Sequence, residues 1–140
     1  MCVMMYMAAE SEVPLIPWDD ARPAFHATAL SSPSDFDVRG RLTKPHVVYL
    51  GSHEGCGCGF LRSEPELFID PDPDPATLES MRNLAKYVNE VVNRVGPVEL
   101  YMCWDADQTL ETLRTSTISC SDLSVPGYAI PCRTLIQVNA

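Results

Sequence analysis

Residues 74–97, "DPATLESMRNLAKYVNEVVNRVGP", constrain the fold more than any other part of the chain. Leu78, Met81, Leu84, Ala85, Val88, Val91, Val92 and Val95 recur at three- and four-residue steps, which draws one apolar stripe along a helix. Asp74 suits the N-cap. Pro75 suits the first helical position, where its missing N–H would have had no partner. At the far end Arg94 complements the helix dipole, Gly96 fits a left-handed residue just past the last turn, and Pro97 blocks continuation. A helix over about 75–95 with one apolar face has to bury that face.

The flanking sequence supplies a surface for it. "HVVYL" (46–50), between Pro45 and Gly51, reads as a strand, and "VELYMCW" (98–104) reads as another. If the two lie side by side in one sheet, the helix is their crossover and they run parallel, a βαβ unit spanning 46–104. Their carboxyl ends then share one sheet edge, where open sheets place their ligand crevices. That arrangement would set Asp105 near His53.

The remaining segments fit around this unit. "CVMMYMA" (2–8) is a continuous apolar run of strand length, expected in the core. Residues 9–23 carry three prolines and read as irregular, with Trp18 as their anchor. "AFHATAL" (24–30), 115–120 and 133–138 read as extended, as does a short piece from Phe60. Asp105 and Gln108 have capping-box spacing, which predicts a short helix over 105–113. The expectation is one α+β domain, 1–140, with a mixed sheet of about five strands and the 75–95 helix on one face. A chain of 140 residues is long enough to bury such a core without staples.

Charge and cysteine usage narrow the function classes. A formal net charge of −9 repels phosphate backbones and anionic lipid, so nucleic acid and membrane surfaces are poor partners. The apolar start before Glu10 has no basic flank and is too short for a span, so no signal peptide or membrane helix is read. The reading is a cytoplasmic protein with reduced thiols, its six cysteines forming no disulfide framework. Cys2, Cys103 and Cys120 lie in apolar or alternating runs, where a cysteine behaves as a small buried hydrophobe.

"GSHEGCGCGFLR" (51–62) is different. Imidazole nitrogen and thiolate sulfur are preferred ligands of zinc and of iron–sulfur centres, and flanking glycines let a loop converge its side chains. His53, Cys56 and Cys58 are therefore candidate ligands for zinc or iron. The spacing H-x2-C-x-C provides only three, so a fourth comes from Cys2, His26, His46, Cys103 or Asp105, or the position stays open to water. Two other readings compete. The C-G-C pair can close a strained, labile disulfide and act as a thiol-redox centre. Alternatively the stretch is only a glycine turn in a binding or scaffold module, with 9–23 serving a protein partner or a homodimer.

Other motifs carry less. "MC" resembles the start of the class II glutamine amidotransferases, a resemblance that implies a Cys2 nucleophile using its own amine as base. It covers two residues, the glycine that usually follows is absent, and the chain is short for that four-layer fold. "DPDPD" (70–74) spaces carboxylates like a calcium loop, but Pro75 and Met81 stand where the loop needs glycine and glutamate. "DAD" (105–107) is met by a capping role for Asp105. His26 and His46 are expected as hydrogen-bonded structural histidines, and Trp18, Tyr101 and Trp104 as core or rim aromatics. No catalytic set and no small-molecule ligand are specified.

Overall fold

A computed structural model describes residues 2–63 and 72–140. The strands are β1 (Val3–Ala9), β2 (His26–Ala29), β3 (His46–Gly51), β4 (Arg62–Ser63), β5 (Val98–Trp104), β6 (Arg114–Ser119), β7 (Ile130–Pro131) and β8 (Thr134–Asn139). The helices are α1 (Pro33–Asp37), α2 (Pro75–Val95) and α3 (Cys120–Leu123). Six strands form one mixed sheet in the order β2-β3-β1-β5-β8-β6, and β4 pairs in parallel with β7 beside it. The chain thus has an α+β fold, with one long helix on its main sheet.

The helix forms where its local signals place it. Asp74 accepts the Thr77 N–H at 2.8 Å, Pro75 opens the first turn, and Gly96 at φ 96° ends the last one with its N–H on Val92 O. Leu84, Val88, Val91 and Val92 are buried against Val3, Met5 and Met7 of β1 and Leu100 and Met102 of β5. The opposite sheet face carries a smaller cluster in which Tyr6, Ala8, Tyr101 and Cys103 meet Val38 and Leu42. Because β1 is covered on both faces, its sequence does not alternate.

The βαβ unit over 46–104 is split. β3 and β5 are parallel, but β1 lies between them and runs antiparallel to both, with Met5 opposite Leu50 on one side and Met102 on the other. The fully apolar β1 gains two neighbours in this central place. Its N-terminal end therefore comes to the edge where β3 and β5 finish.

Three local expectations are corrected. No helix forms over 105–113: the Asp105 N–H that a capping box would need donates instead to Cys2 O at 2.8 Å. Gln108 turns inward, is 1% exposed and donates to Tyr6 Oη, while Ala106 takes a positive φ of 79° that no α-helix accommodates. Cys2 precedes the strand and is exposed rather than buried, whereas Cys103 and Cys120 are buried as expected. Cys120 itself opens α3 instead of ending a strand, because Ser119 and Asp122 form a capping box. The carboxylate pattern at 70–74 begins outside the described residues; within them Asp74 is the α2 cap.

Buried polar groups are tied to the turns. Glu99 accepts from Thr43 N (2.8 Å), Thr43 Oγ1 (2.6 Å) and Lys44 N (3.1 Å), which offsets the cost of burying its charge. Tyr6 Oη donates to the buried Asp35 at 2.6 Å. The proline-rich 9–23 segment is also held: Ile16 bridges Ala27 of the edge strand β2, and Tyr87 Oη of α2 donates to Pro14 O at 2.7 Å. It shields a sheet edge.

Candidate metal centre

The start of β1 and the glycine loop that follows β3 meet at one sheet edge. There the sulfurs of Cys2, Cys56 and Cys58 lie within 4.8 Å of one another, and no other such His, Cys, Asp or Glu group occurs among the described residues. Two backbone-to-sulfur contacts organise them. Val3 N–H donates to Cys58 Sγ at 3.2 Å and Cys58 N–H to Cys56 Sγ at 3.5 Å. Burial first, then hydrogen bonds with the Cys58 and Cys2 side chains, pushes the Cys56 thiol from 9.0 up to about 12, against the lowering effect of the Cys58 N–H.

The loop is shaped by glycines and by one serine. Gly55 has φ 87°, a left-handed conformation that favours glycine. Gly57 faces β1 so closely that a Cβ there would lie 2.9 Å from Val3 O, a backbone atom fixed by the sheet. Ser52, fully buried, closes the loop: its N–H and hydroxyl both donate to Cys56 O, and its oxygen accepts from Glu54 N and Gly59 N. Gly57→Ala keeps all three thiols yet should push the loop off β1 and separate Cys58 from Val3 N–H. If the cluster holds a metal ion, its affinity, measured by competition with a chromophoric chelator, is expected to fall by about tenfold or more, the size of effect seen when supporting residues of metal sites are lost. Undiminished affinity would mean that the close approach has no part in assembling the thiols.

An aromatic wall supports the loop from the other side. Tyr49 Oη and His26 Nε2 both reach Gly55 O, at 3.2 and 3.1 Å. A carbonyl only accepts, so His26 carries its proton on Nε2, and burial lowers its pKa and keeps the ring neutral. The Trp18 ring packs edge-on against His26 at 4.9 Å. Arg62 completes the edge: it donates to Cys58 O at 3.4 Å and lies 5.7 Å over the Trp104 ring.

Of the three residues singled out by spacing, the loop brings Cys56 and Cys58 together but not His53. The His53 N–H donates to Ser80 Oγ at 3.2 Å, and its Nδ1 lies 2.8 Å from the same oxygen, so the side chain ties the loop to α2. Its Nε2 is 3.8 Å from Glu54. Among the formal fourth ligands, Cys2 joins the cluster. His26 holds Gly55, Asp105 Oδ1 accepts from Ala106 N and Gln108 Nε2, Cys103 is buried on the other sheet face, and His46 starts β3 opposite Ala9. Cys56 is 9% exposed.

Cys2, Ser52 and Arg62 contribute more to this edge than their local sequence indicates. The signal for Cys2 was the lack of alternation over 2–8, which marks a central strand and so brings its first residue to the edge where its antiparallel neighbours end. Nothing in the sequence marked Ser52 or Arg62. Among the described residues no helix is long and apolar enough to cross a membrane. Set against protein-family models, curated proteins and solved structures, the chain matches none of them.

Proposed function

We propose that this protein binds a thiophilic metal ion, zinc first and iron second, through Cys2, Cys56 and Cys58. The observation that carries the reading is the convergence of three sulfurs, from two distant parts of the chain, within 4.8 Å. Sulfur ligands about 2.3 Å from a zinc ion stand roughly 4 Å apart, so a small adjustment of side-chain torsions completes the set. Three thiolates leave the fourth tetrahedral position to water or an incoming group, the arrangement of a zinc site able to act as a Lewis acid. Arg62 offsets the excess negative charge of three thiolates on a divalent ion. His53 serves as a loop anchor through Ser80, which places its contribution behind the ligands. The reading requires a compartment that keeps thiols reduced, such as the cytoplasm.

Elemental analysis of untagged protein, purified without added metal, tests this. About one zinc or iron per chain is expected, lost in Cys56→Ser and in Cys2→Ser and retained in Cys120→Ser, whose thiol opens α3 and is not part of the sulfur group. Metal-free parent protein that also fails to take up added zinc under reducing conditions would end the proposal. A thiol-redox centre would instead show free thiols falling by two on mild oxidation and no metal at any stage.

A further inference from the structure

A second concavity shares no residue with the thiol cluster. It lies between α2 and the segment 120–128, with a volume of about 550 Å³, in the range of small-molecule sites. Leu61, Met81, Ala85 and Leu123 make its walls apolar. Its charged lining residues are Arg82 and Lys86, both exposed and one helical turn apart on α2. Neither forms an ion pair among the described residues. Like charges at this spacing repel, and the chain has only 10 Lys and Arg against 19 Asp and Glu. The acidic group of α3, Asp122, is committed to the Ser119 N–H at 2.9 Å. Two cations with no ion-pair partner among the described residues, on the lip of an apolar cavity in an acidic protein, define a ligand by its chemistry.

We propose that this cavity binds a small anionic amphiphile, its aliphatic tail between α2 and α3 and its carboxylate on Arg82 and Lys86. Burial of the tail supplies non-directional affinity, and the paired cations select the charged head over a neutral one. The site stands or falls independently of metal at Cys2, Cys56 and Cys58.

Calorimetric titration of the full-length chain with decanoate, and in parallel with decan-1-ol, tests it. Decanoate is expected to bind at one site per chain about tenfold more tightly than decan-1-ol, a preference of the size two partly exposed charge contacts provide. In the double variant Arg82→Ser/Lys86→Ser that preference should shrink to within about twofold while decan-1-ol binding stays unchanged. Ala85→Trp, which fills the cavity, should remove saturable binding of both. The serine variant alters only exposed side chains, so it decides the matter alone if the tryptophan variant does not fold. Absence of saturable decanoate binding, equal affinities in the parent, or a preference that survives in the double variant would each overturn the proposal.

Discussion

Val88→Asp is expected to abolish cooperative folding or to lower the melting temperature by about 15 °C or more. Val88 is fully buried on α2, in the cluster that also holds Met5 and Leu100. The substitution removes roughly 2 kcal/mol of apolar burial. It also forces a carboxyl group into a site with no polar partner, where it either stays charged at a larger cost or takes up a proton and still costs several kcal/mol. A domain of this size has a total stability of about 5–15 kcal/mol, so the combined loss is a large share of it. Glu90→Gln, on the exposed face of the same helix, should leave stability within about 0.5 kcal/mol of the parent. Thermal unfolding followed by circular dichroism separates the two. Equal melting temperatures would mean that the helix does not bury this face.

The reason this helix was legible lies in the agreement of all its local signals. The stripe, the Asp74 cap, Pro75 and Gly96 each act within one or two turns, and packing on the sheet reinforces them. The failures involve residues whose partners are remote. Asp105 and Gln108 carry a capping-box signature, but a ladder hydrogen bond to Cys2 and a buried hydroxyl on Tyr6 compete for the same groups and prevail. Local spacing cannot weigh those alternatives. The candidate site divides in the same way. Glycines around two cysteines mark the loop, so Cys56 and Cys58 were visible. His53 sits at ligand spacing, yet Ser80, on α2, takes its ring nitrogen. Cys2 became a member of the cluster only because β1 is inserted between β3 and β5, a fact of topology rather than of motif.

The three-thiol cluster carries its own pH signature. Metal binding displaces the proton of every thiol that becomes a ligand, and each displaced proton makes affinity change about tenfold per pH unit. Burial holds the Cys56 proton tightly, up to a pKa of about 12, so this thiol is protonated in the metal-free protein throughout the neutral range. Zinc affinity is therefore expected to rise with pH across the neutral range by at least the roughly tenfold per unit that the Cys56 proton contributes, and to fall on acidification. Competition with a chromophoric chelator, corrected for the chelator's own protonation, measures the slope. Cys2→Ser should lower the affinity sharply, whereas an affinity unchanged by that substitution would take Cys2 out of the metal set. An affinity that does not change with pH would show that no thiol proton is displaced at all, and the thiolate site would have to be given up.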